Sequence, residues 1–340
     1  MQKMKAIRIA EPGKIELIQK DIPEPKDGEA LLKIEYCGIC GSDMATYNGT
    51  QPFSSYPRIP GHEFSARIAD IRGGDGRFKK GMLVTAVPYF SCGGCYPCSN
   101  GKTNCCEKIR VMGVHVDGAF TEFVTVPVES LIDGKNLSPK VLAAVEPFCI
   151  GRHAVKRCPI KAGENVLVIG AGPIGIMAMI NAKLMGARVH IADMLDRRLE
   201  LAKELGADTV IRSGREDLSQ RVRELTGGRG MDTCIEAVGQ PATFLSCIDE
   251  ACYGGKIILI GNGKKETTFV HSSLLKKELS LYASRNSRRE DFLEAVDLFD
   301  RKEADLEKLI TTMYDFDHAV DAFHALLHND GSMAKVMIRF

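Results

Sequence analysis

Cys92-Gly-Gly-Cys95-Tyr-Pro-Cys98, followed eight residues later by Cys106, places four thiols in one stretch rich in Gly, Pro, Ser and Asn. Such a stretch cannot bury itself. Four thiolates about 2.3 Å from a zinc ion form a closed tetrahedral site, and structural zinc contributes roughly 10 to 16 kcal/mol of apparent binding energy in small modules. That is enough to hold a loop without a core. An iron–sulfur cluster uses similar spacings. The alternative use, as small buried hydrophobes, does not account for cysteines set among glycines and prolines. Cys105 stands beside Cys106, so spacing alone leaves two candidates for the fourth sulfur.

A second group could do reactive chemistry. Cys37-Gly-Ile-Cys40-Gly-Ser42-Asp43 is followed by Pro60-Gly61-His62-Glu63, so a thiolate, an imidazole and a carboxylate could meet on one cation. Mixed sulfur, nitrogen and oxygen donors are typical of catalytic zinc, which keeps a position open for water or substrate. Each fragment alone has a duller reading: a turn for Gly-His-Glu, and a redox or structural pair for Cys-x-x-Cys.

The third group is Val166-Leu-Val-Ile-Gly170-Ala-Gly172-Pro173-Ile174-Gly175. It reads as a strand, a Gly-x-Gly-x-x-Gly turn and a helix that Pro173 opens. Its glycines allow a tight turn and close approach of a pyrophosphate to the helix N-terminus. The next apolar run ends at Asp193, 18 residues beyond Gly175, where a carboxylate accepts hydrogen bonds from ribose hydroxyls and repels a 2′-phosphate. This favours NAD over NADP, although Arg197 and Arg198 stand close enough in sequence to receive a phosphate.

The elements that must position these groups fall into two textures. From Lys5 to about Phe123, short and partly alternating apolar runs are broken by Gly and Pro, a β-rich pattern that needs no long helix. After about Leu142, β-rich runs alternate with helical patterns, as in a doubly wound parallel sheet. Six strands are expected: Val166–Ile169, Val189–Ala192, Thr209–Ile211, Asp232–Glu236, Lys256–Ile260 and Leu279–Ala283. Helices over Leu195–Leu205 and Glu216–Leu225 should stop at Gly206 and Gly227. The expected organisation is a β-rich zinc domain over 1–150, a dinucleotide-binding domain over 151–287, and a return to the first domain over 288–340, ending in the apolar strand Lys335–Phe340.

Composition narrows the partners. The 340 residues suit two domains, and 45 Lys+Arg against 44 Asp+Glu leave a net charge of +1, which steers the protein toward neither nucleic acid nor an anionic membrane. A small soluble ligand fits better. Neither a signal peptide's apolar core nor a run of about 18 apolar residues appears, so a cytoplasmic location is expected. Twelve cysteines in such a chain point to metal or catalysis rather than disulfides.

Taken together, these motifs make the chain resemble, over essentially its full length, the zinc-containing medium-chain dehydrogenases. The resemblance implies an α/β protein: a GroES-like catalytic domain joined to a Rossmann domain with a six-stranded parallel sheet. It also implies two zinc ions and NAD per chain, and a homodimer or tetramer built through the cofactor domain. Catalytic zinc then falls to Cys40, His62 and Glu63, with Cys37 a bystander. The structural zinc falls to Cys92, Cys95, Cys98 and Cys106. Val145-Glu146-Pro147-Phe148 matches a segment of polyol-dehydrogenase-like members, which makes Glu146 a candidate fourth ligand that alternates with Glu63 or acts through water. Ser42 matches the relay hydroxyl and Asp43 a residue orienting a zinc-bound histidine. Many relatives carry a relay histidine where this chain has Ala45, so the proton must leave by Glu146, water or a ribose hydroxyl.

A narrower similarity is to bacterial sugar-acid dehydrogenases of the L-galactonate and L-gulonate 5-dehydrogenase type. It rests on Gln51–Arg58, Thr103–Lys108, Gly113–Gly118 and Ser284-Arg285-Asn286. It implies a polyhydroxylated substrate whose carboxylate pairs with Arg285, with His115 and Asn286 nearby. The alternatives are a neutral polyol or threonine-type dehydrogenase, a non-catalytic zinc- and NAD-binding sensor, and a thiol redox module built on Cys37 and Cys40.

Overall fold

The computed structural model describes residues 2–340. The chain forms two compact units. One takes the residues up to Glu146 together with Arg288–Asn329 and Lys335–Phe340, and the other takes Pro147–Ser287 and Asp330–Ala334. The division between Glu146 and Pro147 and the expected boundary at 150 both fall inside the helix Val145–Lys156, and a short piece of the C-terminal stretch goes with the second unit.

The first unit is β-rich, as its broken alternating runs require. Its main sheet has seven strands, in the order Ile310–Asp315, Lys335–Arg339, Glu29–Ile39, Glu63–Ile71, Leu83–Ala86 and Leu131–Asp133, with Phe123–Pro127 pairing to Glu29–Ile39. Lys335–Arg339 runs antiparallel to Glu29–Ile39, setting Val336 opposite Ile39 and Ile338 opposite Cys37. A ladder of Tyr89–Phe90 with Arg110–Val111 forms the root of the cysteine stretch. Short helices interrupt the strands, among them one over Gly41–Tyr47 directly after Cys40, which the apolar pattern does not mark. Asp43 favours that start by accepting a hydrogen bond from the Cys40 amide at 2.9 Å, which satisfies one of the orphan donors at a helix N-terminus.

The second unit is a six-stranded parallel sheet in the order Thr209–Arg212, Arg188–Asp193, Asn165–Ile169, Met231–Glu236, Ala251–Leu259 and Ser280–Ala283. All its pairings are parallel. This is the doubly wound Rossmann order, with its switch point between Asn165–Ile169 and Met231–Glu236. The expected strands are present within a residue or two, except that the fifth begins at Ala251, five residues before Lys256. Parallel strands are buried on both faces, hence the unbroken apolar run Val166–Ile169. The helix Leu218–Thr226 ends where Gly227 takes a left-handed conformation with φ of 61°, which costs glycine nothing. Among the described residues no helix is long and apolar enough to cross a membrane.

Candidate active site

Three donors of three kinds converge in the first unit. Cys40 Sγ, a ring nitrogen of His62 and a carboxylate oxygen of Glu63 lie within 4.8 Å of one another, with His62 and Glu63 buried and Cys40 half-buried. Cys40 caps the Gly41–Tyr47 helix, while His62 and Glu63 sit at the head of the strand Glu63–Ile71. Asp43 ties these two segments together. Its Oδ2 accepts from the Cys40 amide and its Oδ1 from the Gly61 amide at 3.2 Å, and Oδ1 also lies 3.8 Å from His62 Nδ1.

The surroundings are charged although they are buried. Lys335, only 3% exposed, forms an ion pair with Glu63 and donates to the Ile39 carbonyl at 3.0 Å. Gly38 leaves room for this pair, because a Cβ there would force the Glu63 carboxylate and the Lys335 side chain, 2.9 Å away, to shift. Glu146, also 3% exposed, accepts a hydrogen bond from the Tyr89 hydroxyl and lies outside the 4.8 Å donor set.

These contacts set the protonation states. Burial pushes Glu146 up to about 7. Burial disfavours charge on His62 and on Lys335, yet both are raised: His62 by the negative charges of Asp43, Cys40 and Glu146, Lys335 chiefly by Glu63. Burial raises Asp43, and His62 and the Cys40 and Gly61 amides oppose it. Burial also lifts Cys37 well above the usual thiol range, as suits a bystander.

The donor set fits a divalent metal ion. His62 Nδ1 is buried without a hydrogen-bond partner, and Cys40 Sγ and a Glu63 carboxylate oxygen lie within 4.8 Å of a nitrogen of the same ring. Thiolate, imidazole and carboxylate together suit zinc.

The cysteine stretch fits a metal too, with different means. Cys92, Cys95, Cys98 and Cys106 bring their sulfurs within 4.8 Å of one another. Cys95 Sγ lies 3.4 Å from Cys98 Sγ and 3.8 Å from Cys106 Sγ. Backbone amides of Cys92 and Lys108 point at Cys106 Sγ at 3.2 and 3.3 Å. Amides of Glu107 and Cys98 pull Cys95 down to about 6, and burial pushes Cys98 up to about 11. Cys105 is not in the set, so Cys106 supplies the fourth sulfur.

In the second unit, Gly170 turns the chain with φ of 105°, Gly172 caps the helix Pro173–Leu184, and Pro173 takes its first position. A Cβ on Gly175 would collide with the Gly170 carbonyl, so this glycine lets helix and strand close up. Ile174 follows Pro173 in the helix's first turn. Asp193 braces the loop, its Oδ2 accepting from the Ala171 amide at 2.7 Å and its Oδ1 from the Leu195 amide at 2.9 Å, with Arg198 at 3.7 Å.

The remaining candidates are more dispersed. Ser42 lies half-buried in the first turn of the Gly41–Tyr47 helix. His115 accepts from the Val111 amide at 3.0 Å through Nδ1 and stacks on exposed Phe53 at 6.3 Å. Its loop packs on the backbone before His62, since a Cβ at Gly113 would meet Gly61 N at 2.7 Å. Arg285 is exposed just after Ser280–Ala283, and Asn286 holds a left-handed φ of 50°. Both lie in the second unit.

Sequence reasoning missed Lys335 and Tyr89. Lys335 opens an apolar strand, where a lone lysine reads as a solvated end, and its carbonyl partner Ile39 is 296 positions away. Tyr89 lies three residues before Cys92, so its place at the root of the lobe was the one available signal.

Comparison with known proteins agrees with this anatomy. Residues 26–136 match the alcohol dehydrogenase GroES-like domain, and residues 173–301 match the zinc-binding dehydrogenase domain. The L-galactonate-5-dehydrogenase of Escherichia coli K12 is 35% identical over 340 residues, covering 100% of both chains. A sorbitol dehydrogenase of Halalkalibacterium halodurans is 32% identical over 342 residues, covering 98% of this chain and 99% of the other. Among solved structures, the alcohol dehydrogenase RspB of E. coli CFT073, complexed with NADH, superposes with a TM-score of 0.94 at 33% identity, covering 99% of each chain. The chain belongs to the zinc-binding medium-chain alcohol dehydrogenases, nicotinamide-dependent oxidoreductases that act on CH–OH groups.

Proposed function

We propose that this protein oxidises a secondary hydroxyl of a sugar acid, an aldonate such as L-galactonate or L-gulonate, with NAD as hydride acceptor. The observation that carries the reaction type is the convergence of half-buried Cys40 with buried His62 and Glu63, flanked by Lys335 and Glu146. Cys40, His62 and Glu63 would hold a zinc ion, which would supply Lewis acidity toward a hydroxyl, and the Gly170–Gly175 loop would hold NAD, which would supply the hydride acceptor. Asp43 orients His62 and fixes the spacing of the two donor segments. Ser42 would relay the hydroxyl proton, accepting it only as it passes its own hydroxyl proton on to water or a nearby acceptor. Ala45 offers no onward acceptor, whereas Glu146, held up to about 7, sits in the range where a carboxylate exchanges protons at neutral pH. Asp193, already bonded to the loop amides, keeps lone pairs for ribose hydroxyls and presents a charge that repels a 2′-phosphate. The closed Cys92–Cys106 site holds the second zinc.

The aldonate is supported by the full-length similarity to L-galactonate-5-dehydrogenase and by Arg285, whose guanidinium suits a carboxylate. The similarity to sorbitol dehydrogenase favours a second reading, a neutral polyol. The test is a screen of NAD and NADP reduction across aldonates, polyols and amino alcohols, beside a zinc count. Two zinc ions per chain and the highest kcat/KM on an aldonate with NAD are expected; sorbitol turned over faster than every aldonate would replace the first reading with the second. Arg285→Ala should raise KM for the aldonate about 10- to 100-fold, the worth of a charged hydrogen bond, and leave a neutral polyol unaffected.

A further inference from the structure

We propose that Tyr89 is a positioning residue that tethers Glu146 outside the Cys40, His62 and Glu63 donor set and so keeps the metal's fourth position available to substrate. The inference rests on the zinc reading above. Glu146 is buried near both His62 and Glu63 and senses the charge of each, as it senses Lys335. A flexible carboxylate so close to a three-donor set would be drawn to a cation placed there. Four protein donors would then close the site, as in structural zinc, whereas catalytic sites keep three and leave one position open.

The structure shows what prevents this. The Tyr89 hydroxyl donates to Glu146 Oε1, and Glu146 stands outside the distance within which the other three gather. Tyr89 is itself anchored. Its strand pairs with Arg110–Val111, setting Tyr89 opposite Val111, and the Pro88 carbonyl just before it accepts from the Met112 amide at 2.9 Å. Its ring meets the fully buried Phe292 edge to face at 6.5 Å. The two paired strands lead into and out of the Cys92–Cys106 lobe, so the metal that orders the lobe also fixes the base from which Tyr89 reaches Glu146.

The test is Tyr89→Phe, which removes one oxygen and keeps the ring contact. In the zinc-loaded protein, the variant should lose kcat about 10- to 100-fold, the usual effect of deleting a partner of a metal-site group. It should also release the reactive-site metal to a chelator several-fold more slowly than the parent, because Glu146 has joined the donors. Cobalt substituted at that site should show an altered visible spectrum. Adding Glu146→Gln to Tyr89→Phe should return metal release to the parental rate. A packing defect would loosen the metal instead, so release at the parental rate or faster overturns the tether. If cobalt fails to occupy the Cys40 site in the parent while the lobe is filled, the zinc reading itself fails and the tether falls with it.

Discussion

In the lobe, four sulfurs are collected from a stretch of chain whose first and last cysteines are fourteen positions apart, and amides of the same stretch point at Cys106. At the Cys40 site, three donors of three kinds come from two segments, and the charges that balance them arrive from Asp43, Glu146 and a strand nearly three hundred positions away. In the lobe Cys92 is exposed, Cys95 and Cys98 are half-buried and Cys106 is buried, whereas at the other site His62 and Glu63 are buried and Cys40 is half-buried. A site that only has to hold can be built locally from one kind of donor. A site that must exchange protons and admit substrate needs donors of graded strength and a set of buried charges, and only tertiary structure can bring those together.

The contrast can be broken by mutation. Cys95→Ser should cost the largest share of stability, because the loop loses a metal worth roughly 10 to 16 kcal/mol in comparable modules. Thermal melting and a metal count should show a collapsed lobe and a large drop in melting temperature. Cys40→Ser should instead leave the lobe metal and most of the stability in place while removing activity. Equal destabilisation by the two variants would mean that both sites are structural.

Lys335→Met probes the buried charges. It leaves Glu63 without its cation, which typically costs about 3 to 5 kcal/mol when one partner of a buried pair is removed. The loss should be largest in chelator-treated protein and smaller once zinc is restored, because the metal's charge then compensates Glu63. Denaturant melts of both forms would show this, and a loss independent of metal would detach Lys335 from the site. Asp43→Asn is the mildest change: it weakens acceptance from the Cys40 and Gly61 amides and should lower reactive-site metal affinity about 10- to 100-fold without touching the lobe. Competition with a chromogenic chelator reads the two sites separately.

The same local-to-nonlocal divide decided what could be read from sequence. The lobe, the glycine loop and the six parallel strands were legible because each is encoded by neighbours: cysteines at short steps, a glycine turn between strand and helix, apolar runs that need burial on both faces. Asp193 was legible as a strand-end carboxylate, but its use as a brace for the Ala171 amide was not. The Gly41–Tyr47 helix escaped because it is only seven residues long and its start depends on Asp43 rather than on apolar periodicity. Glu146 was flagged by a motif, which gives a residue's kind and leaves open how far its carboxylate can reach. That depends on Tyr89, at a position the pattern did not single out.

The pairing of Lys335 with Glu63 and the Ile39 carbonyl also sets an order in time. At roughly 5 to 20 residues per second of synthesis, the 296 positions between Ile39 and Lys335 correspond to a delay of roughly 15 to 60 seconds on the ribosome. For the last 229 of those positions the nascent chain already holds every cysteine of the lobe, while Glu63 still lacks Lys335. The lobe can take up its metal during translation, and the reactive site reaches its final charge balance only after the strand Lys335–Arg339 has emerged and paired.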